Sequence, residues 1–351
     1  MKVGLLTSGR DCQGLNAALR GVAKALYNHV PDLVLYGILN GYQGLIEGHW
    51  RKCEPGEFSG IIKQGGTILG TSRQSFKSMH DQNENHMDKL SIMVENYKAE
   101  KFDALVILGG NGTHKTAHAL SEAGVNVVTL PKTIDNDLAE TDFTFGFDSA
   151  VARAAEIVDA IHSTAASHGR VFVIELMGHK AGWVTLYAGL ASGADVILLP
   201  EIPYNLDSVV RCIEMRNKSG KHFSIVVIAE GAMSEQEDKI PKKDRKISEQ
   251  SAGDKLVKDL SARLSQDVRL CLPGHFQRGG EPTPTDRVFC SRLGAFAAEL
   301  LMKKKFGFMA ALEGTEIVAV PLHKVAGKLK TVPKDSEIIE QAKQLGISFG
   351  E

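Results

Sequence analysis

The segment Pro131-Lys132-Thr133-Ile134-Asp135-Asn136-Asp137 sets two carboxylates two residues apart, directly after an apolar run. In an extended segment, residues i and i+2 project to the same side, so Asp135 and Asp137 are expected to face one substrate. Such a pair can activate a hydroxyl, organise Mg²⁺, or do both. An Asx-rich turn would use the same residue types, but ligands of open α/β sheets bind at the carboxyl ends of strands, where this segment lies. Two further regions carry cations beside glycines. Arg170 precedes an apolar run ending in Glu175-Leu176-Met177-Gly178-His179-Lys180, and Arg269 precedes Gly274-His275-Phe276-Gln277-Arg278-Gly279-Gly280. Arginine and histidine grouped this way suit a localised phosphate clamp. Two glycine turns, Ser8-Gly9-Arg10-Asp11-Cys12-Gln13-Gly14 and Gly109-Gly110-Asn111-Gly112-Thr113, each precede a helical pattern. Backbone amides at a helix start attract phosphate, and glycine lets a ligand approach the backbone closely. Neither turn is a G-x-G-x-x-G or a G-x-x-x-x-G-K-[ST] sequence, which disfavours a dinucleotide-dependent dehydrogenase and a P-loop enzyme.

The elements that would position these residues follow an alternating pattern. Apolar runs read as strands at Val3–Leu6, Leu33–Leu39, Ala104–Leu108, Val125–Leu130, Val171–Leu176, Val196–Leu199, Ser224–Ala229 and Val268–Leu272. Leu15, Leu19, Val22 and Leu26 form one helix face, and helices are expected at about 84–99, from about 114, and at about 148–166. The last of these carries Val151, Ala155, Val158 and Ile161 on one side. Strands alternating with helices imply right-handed βαβ units and mostly parallel sheets. So many strands suggest two doubly wound, Rossmann-like three-layer α/β/α domains, with a first break near Gly146. The mixed-charge run at 235–250 reads as a solvated loop.

Composition narrows the function classes. The 351 residues include 41 Lys and Arg against 42 Asp and Glu, a formal net charge of -1, and 43% hydrophobic residues. Disorder is excluded as the main state. Wrapping nucleic acid or lying on an anionic membrane is disfavoured, so any bound anion must be held by a local basic cluster. The five cysteines contain no C-x-x-C pair, which supports neither a disulfide framework nor a zinc ribbon. MKVGLLTSGR lacks the apolar length of a signal peptide, and no apolar run nears the roughly 18 residues that span a bilayer. The expectation is a soluble, cytoplasmic protein.

In order and spacing, these segments resemble the phosphofructokinase family over about residues 1–300. TSGRDCQGLNAALRG is similar to its first phosphate loop, GGNGT to its nucleotide-phosphate loop, PKTIDND to its catalytic loop, and MGHKAGW and GHFQRGG to its sugar-phosphate loops. The tail, with LKTVP, resembles actinobacterial-type members. The resemblance implies phosphoryl transfer to the 1-hydroxyl of fructose 6-phosphate. It implies a donor domain at 1–146 plus about 277–330, and a fructose 6-phosphate domain at 147–276 plus the tail. Asp135 would be the base. Thr133 and Asp137 would orient the sugar and the transferring phosphate, with Lys132 and Arg73 alongside. Met177, Gly178, His179 and Glu230 would hold the sugar. Arg278, His275, Arg170 and Arg269 would bind its 6-phosphate, the last two from a neighbouring subunit of a homotetramer. Gly9, Arg10, Tyr42, Arg73, Gly110, Asn111, Gly112 and Thr113 would hold the donor, with Asn111 at the Mg²⁺ position.

The donor side departs from the family pattern. Arg10 replaces a glycine, Asn111 an acidic residue, His179 an arginine, and Thr116 a glycine bordering the adenine site. An amide lacks the anionic charge a hard cation prefers. Gly112 points to ATP, whereas Lys132 points to pyrophosphate; ATP is the expected donor, with pyrophosphate and a non-catalytic sugar-phosphate-binding paralogue as alternatives. At the family's effector pocket Arg20, Lys24, Lys221 and Asp195 keep their charge types, but Pro55, His162 and Ser219 replace basic residues.

Overall fold

The computed structural model describes residues 1–81, 87–241 and 250–351. Its first half runs β1 (Lys2–Thr7), α1 (Leu15–His29), β2 (Val34–Ile38), α2 (Tyr42–Glu47), β3 (Trp50–Lys52), α3 (Lys89–Ala99), β4 (Ala104–Gly109), α4 (Asn111–Glu122) and β5 (Val127–Pro131). Next come α5 (Phe147–His168), β6 (Val171–Leu176), α6 (Trp183–Ala191), β7 (Val196–Leu198), α7 (Leu206–Lys218), β8 (Ser224–Ala229), α8 (Glu235–Asp238), α9 (Ala252–Ser261) and β9 (Val268–Cys271). The chain ends in α10 (Pro284–Met302), β10 (Phe308–Glu313), β11 (Glu316–Pro321), α11 (Leu322–Val325) and α12 (Glu337–Gln344). No helix among the described residues is long and apolar enough to cross a membrane.

The chain divides into two compact units. Unit 1 comprises Met1–Ile134, Leu138–Ser149 and Arg278–Leu329; unit 2 comprises Asp135–Asp137, Ala150–Gln277 and Lys330–Glu351. Unit 1 carries a seven-stranded sheet in the order β11-β10-β5-β4-β1-β2-β3. Its central pairs β1–β2, β1–β4, β4–β5 and β5–β10 are parallel, and β2–β3 and β10–β11 are antiparallel at the edges. Unit 2 carries a fully parallel sheet, β7-β8-β6-β9. The interior strands β4 and β8 are buried at every residue, as continuous apolar runs covered on both faces require. This is the α/β architecture that the alternating pattern predicted.

The predicted face of α1 is the core: Leu15, Leu19, Val22 and Leu26 have no exposed surface. A second contact fixes that helix. A Cβ on Gly21 would sit 2.9 Å from the Ser291 carbonyl, and one on Gly294 would sit 2.6 Å from the Ala18 carbonyl. Glycine at both positions therefore lets the backbones of α1 and α10 touch.

Four expectations change. The hairpin β10–β11 and the short β3 are additional strands. Met309, Ala310 and Ala311 are buried in β10 although alanine and methionine favour helices, so burial beside β5 overrides local propensity. On α5 the buried line is Ala150, Ala154, Val158 and Ala165, whereas Val151, Ala155 and Ile161 are only half-buried. Small side chains, rather than the bulkier ones, face the interior. The helix expected at 84–99 is described from Lys89. Of the charged run at 235–250, residues 235–238 form α8, capped by Ser234, and 242–249 lie outside the described residues.

Candidate active site

In unit 1 the turn after β1 is tied to its surroundings by backbone bonds. Ser8 N–H donates to the Leu108 carbonyl (2.9 Å) and Gly9 N–H to that of Ser72 (3.0 Å), while Thr71 Oγ1 donates to the Gly9 carbonyl (2.7 Å). Gly9 has φ +89°, and a Cβ there would lie 3.6 Å from Lys132 Nζ and 3.7 Å from Thr113 Oγ1. The two glycine turns and Lys132 thus converge on one place. Lys132 is buried, and its ammonium donates to the Arg10 carbonyl. Arg10 is half-buried and Arg73 exposed.

The second turn opens α4 without a side-chain cap, which leaves its first amides available for phosphate oxygens. A Cβ on Gly112 would meet nothing within 4 Å, whereas one on Gly110 would lie 3.4 Å from the Lys132 carbonyl. Asn111 Nδ2 donates to the Lys328 carbonyl (2.7 Å), so this amide joins the loop to the segment after β11. Among the described residues no group of three His, Cys, Asp or Glu side chains is placed to hold a metal. Tyr42, fully buried, donates its hydroxyl to the Thr113 carbonyl (2.9 Å); burial holds that phenol well above its ordinary pKa. Thr116, also buried, donates to the Gly112 carbonyl.

Sequence reasoning missed His114. Its Nδ1–H donates to the Gly110 carbonyl (2.9 Å), and its buried Nε2 has no hydrogen-bond partner among the described residues. Burial pushes this imidazole down from 6.5 to about 4, so it supports the nucleotide-type loop as a neutral group. It also missed Asp286, whose carboxylate accepts from Gly146 N (3.1 Å), Ser149 N (2.9 Å) and Ser149 Oγ (2.5 Å) and so ties α10 to the start of α5. Burial raises Asp286 to about 6, against the pull of the Ser149 bonds.

These two groups predict opposite pH effects. The unfolded chain binds a proton at His114 more readily than the native one, so stability is full above pH 6.5 and is lost as pH falls toward 4. Asp286 contributes stability that is full below 3.8 and is lost as pH rises through 6. A His114→Gln variant is therefore expected to lose less thermal stability than the parent between pH 6.5 and 4. Parallel Tm-against-pH curves would contradict the assignment.

The loop after β5 is held by its neighbours in unit 1: Lys132 N–H donates to the Gly109 carbonyl (3.0 Å), and Thr144 Oγ1 donates to the Thr133 carbonyl (2.7 Å). The next three residues belong to unit 2. Here the extended-segment expectation fails, because Asn136 is left-handed, with φ 49°. The backbone is thus not extended between the carboxylates, and it bends at Ile134 and Asp135, so period-2 reasoning does not apply. Asp137 is 7% exposed, while Asp135 is only half-buried. Asparagine is one of the few residues that adopts this conformation at modest cost.

In unit 2, Glu230 Oε1 accepts from the amides of Gly178 (3.2 Å) and His179 (2.6 Å), and Gln277 Oε1 accepts from Met177 N–H (3.2 Å). The Met177–His179 loop is thereby drawn onto the ends of β6 and β8, with His179 itself left-handed (φ 54°). Glu230 thus has a structural task the sequence did not reveal. Arg170 Nε (2.9 Å) and Arg269 Nη2 (2.8 Å) converge on one carboxylate oxygen of Asp267, a partner with no motif to announce it. Two cations on one anion leave a positive patch. His275 is exposed in a short 3₁₀ turn, Gly274–Arg278. Arg278 belongs to unit 1, is 6% exposed, and donates to the Asp11 carbonyl of the first glycine turn (2.9 Å).

Known proteins agree in family. The model of the family described as "Phosphofructokinase" matches residues 2–301. An "ATP-dependent 6-phosphofructokinase" of Spirochaeta thermophila is 49% identical over 99% of this chain and 97% of its own. An "ATP-dependent 6-phosphofructokinase 3" of Bacteroides thetaiotaomicron is 44% identical over the full length of both. The T-state structure of Pichia pastoris phosphofructokinase superimposes with a TM-score of 0.81 at 30% identity, covering 92% of this chain and 35% of that one.

Proposed function

The chain belongs to the phosphofructokinase family, and we propose that it transfers the terminal phosphoryl group of ATP to the 1-hydroxyl of fructose 6-phosphate, a step of glycolysis in the cytoplasm. The observation that carries this reading is the join of a complete acceptor-side residue set with full-length relatives of 44–49% identity named as ATP enzymes. In this reading half-buried Asp135 accepts the proton of the attacking hydroxyl, and Thr133 and Asp137 align sugar and phosphoryl group. Met177, Gly178, His179 and Glu230 bind the sugar. His275 and Arg278 take its 6-phosphate together with the Arg170–Arg269 pair of a neighbouring subunit in a homotetramer.

On the donor side Gly9, Arg10, Tyr42, Gly110, Asn111, Gly112 and Thr113 cradle the nucleotide phosphates, and exposed Arg73 bridges them toward the reacting centre. Lys132 holds the first turn against the second and adds positive charge beneath them. Open space at Gly112 favours ATP over pyrophosphate, because the nucleotide needs room beside the loop. Asn111 stands at the Mg²⁺ position as a neutral amide, where this ion is ordinarily held by one or two carboxylates and substrate phosphates; a Mg²⁺ ion there would be held chiefly by ATP phosphate oxygens and waters and would neutralise charge on the transferring group. An assay coupled to aldolase, run with ATP, with pyrophosphate and with neither, tests this. Sugar bisphosphate formed only with ATP is expected; formation with pyrophosphate alone would reverse the donor assignment, and formation with neither donor would expose a contaminant.

Little response to nucleoside diphosphate or phosphoenolpyruvate is expected. Asp195 accepts from Arg216 (2.8 Å) and Ile225 N–H (2.9 Å), and Ser219 Oγ donates to the Arg216 carbonyl (2.7 Å). His162 is bonded to the Ser192 carbonyl (3.0 Å). The basic residues replaced by Pro55, His162 and Ser219 would each have supplied a charged hydrogen bond of roughly 1.5–3 kcal/mol. Their absence weakens effector binding by several powers of ten, at about 1.4 kcal/mol per tenfold. Fructose 6-phosphate saturation measured with each effector at millimolar levels is the check; a several-fold shift in half-saturation would overturn it.

A further inference from the structure

The stretch that follows residue 329 lies beyond the 2–301 family match, yet it shares a compact unit with Asp135–Asp137. Lys330 is the point of contact, and every polar group it has is engaged. Its backbone N–H donates to the Asp137 carbonyl (2.9 Å). Its ammonium donates to Asn136 Oδ1 (3.1 Å) and lies 5.5 Å from the Trp183 ring centroid. Its carbonyl accepts from Trp183 Nε1 (3.3 Å). Two residues on, Val332 N–H donates to Glu201 Oε1 (2.9 Å), the same carboxylate that accepts from Gly182 N–H (2.9 Å) at the start of α6. The tail is thus fastened at Lys330 and again at Val332 to the start of α6.

What Lys330 holds is a residue in an uncommon backbone conformation. Asn136 is a 2% exposed, left-handed residue between the two aspartates. Asparagine enters that region more readily than most side chains, but a buried left-handed residue persists only where its surroundings over-determine it. The ammonium fixes the Asn136 side chain, and the Lys330 amide fixes the carbonyl of Asp137. Between them they fix the backbone of Asn136 and Asp137 and hence the segment from which the Asp135 carboxylate projects.

We infer that Lys330 is a positioning residue for phosphoryl transfer: a cation supplied from outside the common family segment locks the left-handed conformation of Asn136 and so aims Asp135. The inference rests on the reading of Asp135 as the base. Its effect belongs to the reaction step rather than to binding, since misplacement of a reacting group by about 1 Å can cost around 10²-fold in rate.

The test is a double-mutant cycle of Lys330→Met and Asn136→Gly, with Lys330→Arg as the conservative variant. Methionine keeps the length over Trp183 and removes charge and donor; glycine keeps the left-handed backbone and removes the acceptor. Each single variant is expected to lose about 10- to 100-fold in kcat, with both KM values within about threefold of the parent. The double variant should be no slower than the worse single one, because both break the same link, and Lys330→Arg should recover most of kcat. A parent-like kcat in Lys330→Met, or additive losses in the cycle, overturns the inference. So does a kcat loss that tracks a fall in Tm and is not rescued by arginine. If Lys330→Met does not fold, Asn136→Gly alone decides: parent-like kcat overturns, a kcat-only loss supports. A fully active Asp135→Ala enzyme would instead sink the assignment of the base, whatever the Lys330 variants do.

Discussion

Replacing Asp135 with alanine is expected to lower kcat by at least about 10²-fold, the usual range for loss of a general base, while fructose 6-phosphate binds with nearly its original affinity. The asymmetry between the two aspartates is the reason for choosing Asp135. Asp137 is 7% exposed, and its carbonyl is tied to the Lys330 amide. Asp135 is half-buried and therefore open enough to meet a sugar hydroxyl while remaining on a fixed backbone. Binding should survive because the residues read as holding the sugar and its phosphate lie elsewhere in sequence and are braced independently, as Glu230 braces Gly178 and His179. Steady-state kinetics beside a direct binding measurement separate the two effects. Unimpaired turnover by the alanine variant would remove Asp135 from the mechanism.

The second large effect lies at Gly112. Substituting Gly112→Asp is expected to reduce kcat/KM for ATP by about 10²-fold or more and to leave stability unharmed. Gly112 is the second residue of α4, and a Cβ there meets nothing within 4 Å, so the side chain is accommodated. A carboxylate in the first helical turn even interacts favourably with the helix dipole. Against a nucleotide phosphate about 4 Å away, however, each like-charge pair costs about 4 kcal/mol at an effective dielectric constant near 20. Unchanged ATP kinetics in a folded variant would show that this loop does not face the nucleotide.

Much of this was legible in the sequence because it depends on local pattern. The buried face of α1 follows from its 4-3-4 spacing, and the first glycine turn announces itself because Gly9 holds φ +89°, a conformation that side-chain-bearing residues rarely adopt. What stayed hidden depends on partners remote in sequence. Nothing near Arg170 and Arg269 signals that Asp267 joins them, and nothing near Glu230 reveals that it accepts two amides from the loop after β6. Lys330 sits some 190 residues from the asparagine it binds. The extended reading of Asp135 and Asp137 failed because Asn136 between them is left-handed, a conformation asparagine tolerates better than most residues but does not by itself announce. The missed strand β10 shows the same limit, since its Met-Ala-Ala-Leu run favours a helix until β5 supplies a sheet edge, whereas β11, with Ile317, Val318 and Val320, carries an ordinary strand signal.

The central claim is tested most directly by following the label from [γ-³²P]ATP with purified enzyme and fructose 6-phosphate. The account predicts that the label appears on carbon 1 of fructose 1,6-bisphosphate in the parent enzyme and is lost in step with kcat in Asp135→Ala. Label released only as inorganic phosphate, or bisphosphate formed from pyrophosphate while ATP stays intact, would contradict it.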